Sequence, residues 1–589
     1  MRKIGYIIIL LAVCLSVYAA PARRGWMPRV LADGTEVEVQ QYGDEYYHFM
    51  VTRDGKMVEE TVEGLRITDE PVPTPEQVAA RRAQRAPKAV GKPKPINRVL
   101  VILVSYADLA IQPKNTAIAI DSLFNYSGYN YNGATGSARD YFIAQSDSLY
   151  MPTFDVVGPV TLANNRAHYG ENSSGNTDRR AREMIKEACQ AVDGIVDFSQ
   201  YDSDGDGRVD AVYVIYAGIG ANDNDGVPEA IWPHQSTVSG LTLDGKQIYT
   251  YACSGEIDGV TKDRTGIGPI CHEFGHAIGM PDYYSTGSSG AYIVCEWSAM
   301  DYGMYNNGAN TPPNYSIFDK EYMGWTTVRE LNANQQKNVS LTTDYSAGYK
   351  MTIGAVTYYV ENRQRVGWDL PLRGSGMLVW YVKYDQSVWN NNQVNYTNTS
   401  PRYTVLSAKS GLMTNGDNVW SSAADPFPGS QNVTSWTAGT GFVLTDIVES
   451  GGTVLFKFNG GKTECTYELM AEHCEVPEDG VLAFGGTLIL TIMPEAGYVL
   501  DPECWAVEMG EENPLLEYGL DYTYDKLTGE FRLEGVTDDV VIIVEAKEDT
   551  GTGLESGKWK EESGKMIRNG QLIIIRGEKE YNAQGAQIR

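Results

Sequence analysis

The distribution of apolar residues along the chain changes character several times. Between 34 and 58, "GTEVEVQQYGDEYYHFMVTRDGKMV" alternates apolar with polar positions and carries "RDG" between two runs, which predicts short strands joined by a turn. "NRVLVILVSYAD" (97–108) and "VDAVYVIYAG" (209–218) are almost continuously apolar, the pattern of strands covered on both faces. "TDRRAREMIKEACQAV" (177–192) has helical spacing, with Thr177 or Asp178 as its expected N-cap. From 331 to about 460 the helical spacing gives way to short segments such as "VTYYVENRQ" and "GMLVWYVKY" between Gly-, Asn- and Pro-rich turns. A further set, "GTLILTIM", "EFRLEGV" and "DVVIIVEA", predicts another β module over 462–548.

At 589 residues the chain is too long for one core, so several domains are expected. The first 19 residues read as an export signal. Arg2 and Lys3 precede the apolar "IGYIIILLAVCLSV", and Val17 and Ala19 are spaced for cleavage after Ala19. Residues 20–96 form a small unit and a linker, since "PVPTPEQVAARRAQRAPKAVGKPKP" has the composition of an exposed tether open to trypsin-like processing. A mixed domain over 97–330, a β-rich domain over 331–461, the β-sandwich-like module at 462–548 and a C-terminal tail at 555–589 complete the division. A net charge of -28 argues against nucleic acid as a partner. Outside the signal, which contains Cys14, there are seven cysteines, an odd number, so at least one thiol has no intramolecular partner.

The chemistry concentrates in "GPICHEFGHAIGMPDYY" (268–284). Of only 6 histidines, two lie four apart, and on a helix such positions share one face. His272 and His276 can therefore offer two imidazoles to one zinc ion, which also needs a third protein ligand and an open position. Glu273 can reach a water activated by that ion and act as general base, passing the proton to a leaving amine. Gly279 permits a sharp turn and Pro281 forbids further helix, so the chain can swing Asp282 back as third ligand. Glu296 is the alternative for that place, since zinc accepts either carboxylate. Cys271 adjoins the site and reads as a buried, inert thiol. Downstream, "EWSAMDYG" places Met300 and Tyr302 in a tight polar turn.

The sequence H-E-F-G-H-A-I-G-M-P-D followed by a methionine turn resembles the metzincin clan of zinc endopeptidases. With aspartate third, and "GMPDYY" and "WSAMDYG" around it, the stretch resembles the immune-inhibitor-A-like family of secreted bacterial metallopeptidases. The resemblance spans about 97–450, where "VENRQRVGWDLPLRGSGMLVWYV" and "DPFPG" also look like family segments. It implies zinc held by His272, His276 and Asp282, Glu273 as general base, Met300 as an apolar floor beneath the metal and Gly279 as the structural turn. It also implies a role for Tyr302 in stabilising the oxyanion. The fold class it implies is multidomain, an α+β metzincin-like catalytic domain with flanking all-β modules. Such enzymes are often made with an inhibitory N-terminal segment. Residues 20–96 hold no cysteine to block the metal, so a carboxylate such as Asp33, Asp44 or Asp54 is the candidate cover. The tail "GQLIIIRGEKEYNAQGAQIR" resembles the sorting tails of type IX secretion cargo, which implies secretion machinery as a partner and a location outside the cell or on the bacterial outer surface.

A second metal is expected at "YDSDGDGRVDAV". Asp202, Asp204, Asp206 and Asp210 with the carbonyl of Arg208 match the start of a calcium loop, and Tyr213 in place of a closing glutamate makes it incomplete. "NDNDG" at 222–226 is a weaker echo of the same pattern. The reading is therefore a secreted zinc endopeptidase, made as a zymogen and acting on proteins or peptides. The alternative is a non-catalytic surface binding protein on a degenerate protease fold, and a third reading is a zinc hydrolase of other bonds.

Overall fold

The structure, a computed structural model, describes residues 17–549 except 45–46, 62–63, 75, 79, 81–92, 173–176, 228, 288–290, 334, 345–346, 415–419 and 511–514, together with the strand backbones at 563–568, 571–576 and 579–582. Most of the expected export signal and of the linker lies outside the described residues. The chain forms two compact units, 1–461 and 462–589.

The first unit is built on a six-stranded mixed sheet. Its strands in chain order are β1 (Val17–Ala19), β2 (Arg98–Ser105), β3 (Thr153–Thr161), β4 (Val212–Ile219), β5 (His234–Thr237) and β6 (Thr250–Ile257), and their spatial order is β1-β5-β6-β4-β2-β3. The pairs β3–β2, β2–β4 and β4–β6 are parallel, whereas β5 runs antiparallel to β6 and β1 antiparallel to β5. The two continuous apolar runs are β2 and β4, which lie side by side in the middle of the sheet. Residues 99–105 and 212–217 are all buried, so neither face could tolerate a polar alternation.

Helices cover this sheet. α1 (Ala117–Asn125) is capped by Thr116, and α2 (Ala138–Gln145) opens with a reciprocal capping box between Ser137 and Asp140. α3 (Ala181–Val192) buries Ala181, Met184, Ile185, Ala188, Cys189 and Val192, the stripe that the spacing predicts. It begins four residues later than the sequence pattern indicates, with Arg180 at the cap position. Asp178 is not its N-cap. That residue adopts φ 47° and turns its carboxylate inward to accept from the Trp232 backbone N–H at 3.0 Å. α4 (Ile267–Ala277) carries the histidines and is buried along nearly its whole length. α5 (Ile317–Tyr322) again has a capping box, from Ser316 and Asp319.

The β-rich stretch supplies a six-stranded sheet, including Tyr349–Ile353, Val356–Arg363, Gly376–Val382 and Tyr403–Ser407, and a four-stranded sheet from Lys337–Leu341, Thr453–Phe458, Phe442–Ser450 and Trp436–Gly439. One buried cluster runs from Leu100, Val214 and Phe274 into Trp380, Trp389 and Tyr403, so the two parts share a core. A buried ion cluster ties them further. Arg363 donates to Asp369 through Nε and Nη2, both at 2.5 Å, and to Glu361 at 3.2 Å. Glu361 in turn accepts from the Ile317 N–H at 2.9 Å, and Asp369 from the Asn314 N–H at 2.9 Å. The "DPFPG" segment acts in the same way. Asp425 accepts from Trp297 Nε1 at 3.1 Å, next to the methionine turn.

The N-terminal unit is a five-stranded antiparallel meander over Met27–Val30, Glu36–Gly43, His48–Thr52, Met57–Thr61 and Gly64–Ile67. The second compact unit is also all β. Its core gathers Leu488, Trp505, Val507, Phe531 and Ile542, and the tail forms an antiparallel three-stranded set, Ser563–Arg568, Gln571–Arg576 and Lys579–Asn582. Among the described residues none of the seven cysteines outside the signal is in a disulfide. Among the described residues no helix is long and apolar enough to cross a membrane.

Candidate metal centre

α4 brings His272 and His276 onto one face, as their spacing requires. Each ring is fixed by its Nδ1, which donates to a carbonyl: that of Ala299 at 2.8 Å for His272 and that of Met280 at 2.7 Å for His276. With Nδ1 carrying the hydrogen, both Nε2 atoms present lone pairs. They face each other at 3.1 Å. Gly279, at φ 111°, ends the helix, and the chain returns through Pro281 to place Asp282 Oδ1 3.1 Å from His276 Nε2 and 3.4 Å from His272 Nε2. All three side chains are buried, and Asp282 Oδ1 has no hydrogen-bond donor.

Two lone pairs and an orphaned carboxylate oxygen in one buried spot form a donor set that could hold a cation. Three ligands at normal zinc distances on a tetrahedron lie about 3.3 Å apart, so the spacing fits that ion. Without a cation a proton is the substitute. Burial opposes charge on His272, yet the nearby carboxylates of Asp282 and Glu273 outweigh it and lift its pKa to about 9. Burial also works against the Asp282 carboxylate, but His276 and His272 hold it well below the usual range. Asp282 is positioned by Asn392, whose Nδ2 donates to Oδ2 at 2.6 Å and whose Oδ1 accepts from the Asp282 N–H at 2.7 Å. Asn392 follows the short helix Gln386–Asn390 in the β-rich stretch. It has no sequence signature beyond a run of asparagines.

Glu296, the alternative ligand, is directed elsewhere: it accepts from the Ser421 N–H at 3.0 Å and pairs with Arg373 at 3.3 Å. Met300 is buried against α4. A Cβ on Gly275 would meet Met300 Sδ at 3.0 Å and the Tyr315 hydroxyl at 3.1 Å, so glycine there allows the methionine turn to approach the helix. Tyr302 stacks edge-on with Tyr292 and Trp420, at 5.0 and 5.4 Å between centroids. Burial pushes the Cys271 thiol up, consistent with an inert side chain.

Glu273 is buried beside the histidines, and burial raises its pKa well above the usual carboxylate range. Its Oε1 accepts from the Ala20 N–H at 2.8 Å. The covering element is thus the first described segment of the chain. After β1 pairs with β5, three successive carbonyls are gripped: Ala20 by Trp232 Nε1 at 2.6 Å, Pro21 by the Tyr305 hydroxyl at 2.7 Å, and Ala22 by the Tyr292 hydroxyl. Arg24 lies over the Tyr292 ring at 3.9 Å and near Trp420 at 4.6 Å. The expectation of a carboxylate cover is corrected. Asp33, Asp44 and Asp54 bind the N–H of Thr35, the N–H of Tyr47 and the hydroxyl of Thr52, so each serves its own turn.

The acidic loop folds as a cluster in which carboxylate oxygens of Asp202, Asp204 and Asp206 lie within 4.8 Å of one another. Asp210 is buried and accepts from the Ser203 N–H at 2.8 Å. Two ammonium groups offset half of the charge of the loop's four carboxylates. Lys94 reaches Asp204 at 2.6 Å and Asp210 at 3.0 Å, and Lys246 reaches Asp202 at 2.7 Å. Asp202 Oδ1 remains buried without a hydrogen-bond partner. The main chain of Arg208 continues from this loop into a short strand at Arg208–Val209.

Residues 88–327, which contain His272, Glu273, His276, Asp282 and the acidic loop, match the family described as Immune inhibitor A peptidase M6, catalytic domain. Among curated proteins, the chain is similar to "Immune inhibitor A" of Bacillus thuringiensis subsp. alesti, 26% identical over 297 residues that cover 42% of this chain and 43% of the relative. It is also similar to "Pre-pro-metalloprotease PrtV" of Vibrio cholerae serotype O1, 25% identical over 294 residues, 41% of this chain and 32% of the relative. The chain thus spans less than half the length of the curated relatives it matches. The family match and the relatives' names support a peptidase of the metal-dependent class.

Proposed function

We propose that the protein is an exported zinc-dependent endopeptidase in which His272, His276 and Asp282 hold the metal and Glu273 moves the proton. The observation that carries this reading is the convergence of two imidazole lone pairs and an orphaned carboxylate oxygen at 3.1–3.4 Å beside a buried glutamate. A zinc ion bound there supplies Lewis acidity to the scissile carbonyl and to the attacking water. Glu273, beside the three ligands, would take a proton from an attacking water and return it to the leaving amine. Asn392 and the carbonyls of Ala299 and Met280 orient the three ligands. The Ala20 amide, seated on Glu273, occupies the place where a leaving amine would stand, so residues 20–24, which remain after cleavage at Ala19, hold the precursor latent until they are displaced. Tyr302 stands in the aromatic wall beside this path, where it could serve a developing oxyanion. The wider assignments are export through the N-terminal signal, a sorting role for the tail, and an extracellular or surface location.

The acidic loop is proposed as a calcium site that stabilises the fold. Calcium would have to displace Lys94 and Lys246 from Asp202, Asp204 and Asp210. Addition of calcium at about 100 times its dissociation constant should then stabilise by about 2.7 kcal/mol, and Asp202→Asn should remove the effect. The catalytic reading is tested by Glu273→Ala: the variant should keep its metal and lose casein cleavage by about 10²–10⁴-fold. Unchanged cleavage would remove Glu273 from the mechanism. Cleavage that survives removal of the metal by a chelator would exclude the metal-dependent reading.

A further inference from the structure

The covering segment also shows where side chains fall along the cleft. It enters antiparallel to the sheet edge, with Ala19 opposite His234, and it is held through main-chain carbonyls by Trp232, Tyr305 and Tyr292. Such contacts do not depend on sequence and would hold any extended peptide on the same path. With the Ala20 N–H on Glu273, Ala20 stands first on the leaving-amine side and Arg23 fourth.

Arg23 leaves the path sideways and is 6% exposed. Its Nη1 donates to Asp223 Oδ1 at 3.0 Å, to Asp223 Oδ2 at 3.1 Å and to Asp258 Oδ2 at 2.5 Å, and the guanidinium lies 5.2 Å from the centroid of the Tyr305 ring. The two carboxylates do not depend on Arg23 for their orientation. Asp223 accepts from the N–H groups of Asn224 and Gly259 at 2.7 and 2.8 Å, and Asp258 from those of Val260 and Thr261 at 3.0 and 2.7 Å. The loop 222–226, a faint calcium echo in the sequence, thus builds half of a preformed anionic pocket. When the N-terminal segment leaves, two buried carboxylates remain facing a cleft wall beside an aromatic face. A planar, delocalised cation satisfies both features at once, and a compact ammonium satisfies them less well.

Resting on the peptidase reading, we propose that Asp223 and Asp258 form a specificity subsite for an arginine side chain, four residues beyond the scissile bond on the leaving-amine side. The segment Ala20–Arg24 fills the subsite in the precursor, and a polypeptide substrate fills it afterwards.

The test uses the protein secreted and processed by its producing cell, with four quenched fluorescent peptides that differ only at that fourth position: Arg, Lys, Gln or norleucine. The expected result is a kcat/KM for the Arg peptide about 30-fold or more above norleucine, the scale for breaking a desolvated charge pair, with Lys between. Within Asp223→Asn and within Asp258→Asn the Arg-to-norleucine ratio should contract towards unity. Because the first comparison is made on the unaltered protein, it stands even if a variant misfolds. Equal cleavage of all four peptides would overturn the subsite and leave the peptidase reading intact. No cleavage of any peptide would overturn both.

Discussion

Asn392 provides a sharp test of how the site is built, because it touches the proposed third ligand, Asp282, and none of the groups proposed to react. Its amide makes two hydrogen bonds to Asp282, at 2.6 and 2.7 Å, in a fully enclosed setting. It also adopts φ 51°, a left-handed conformation that glycine tolerates, so Asn392→Gly removes the amide without adding backbone strain. A hydrogen bond to a carboxylate contributes about 1.5–3 kcal/mol, and loss of an outer-shell partner weakens metal sites by about 10–100-fold. The two scales agree, since tenfold is about 1.4 kcal/mol. Zinc competition against a chromogenic chelator should therefore show a dissociation constant raised by about 10–100-fold in Asn392→Gly. A zinc affinity within twofold of the unaltered protein would refute the claim that the β-rich stretch orients the third ligand.

Two other consequences can be measured. Arg363→Leu leaves Glu361 and Asp369 buried without their cation, and urea unfolding should show a loss of about 3–5 kcal/mol; an unchanged midpoint would mean that the ion cluster does not tie the two parts. Burial lifts the Asp178 carboxyl from the ordinary 3.8 to about 8, so the folded state binds its proton more tightly than the unfolded chain. Stability is then greatest below the ordinary pKa and is lost as pH rises towards 8. Asp178→Asn should be more stable than the unaltered protein at pH 8, by on the order of a few kcal/mol, and equal to it near pH 4. Parallel stability curves across that range would contradict the assignment.

The parts of the fold legible in the sequence were those set by local period. The apolar runs at 97–108 and 209–218 became central parallel strands because only a doubly covered strand excludes polar positions, and the histidine pair shares a face because helices repeat every 3.6 residues. The return of Asp282 could be read from Gly279 and Pro281, which leave the chain little choice after the second histidine. What could not be read was long-range. Asn392 lies 110 positions from the ligand it supports, and Ala20 lies 253 from the glutamate it covers. Asp178 was misassigned for a related reason. An aspartate before an apolar stripe looks like a cap, but a tertiary contact with Trp232 took its side chain inward and the helix began later. Likewise "VENRQRVGWDL" carries strand periodicity on its surface, while its Glu361, Arg363 and Asp369 serve a buried cluster that joins two parts of the chain.

The most direct measurement is metal content by mass spectrometry of the purified, processed protein, made alongside His276→Ala. The account predicts about one zinc per chain, bound by the three side chains, and almost none in the variant. A protein that cleaves casein with no transition metal, or a variant that retains its zinc in full, would contradict it.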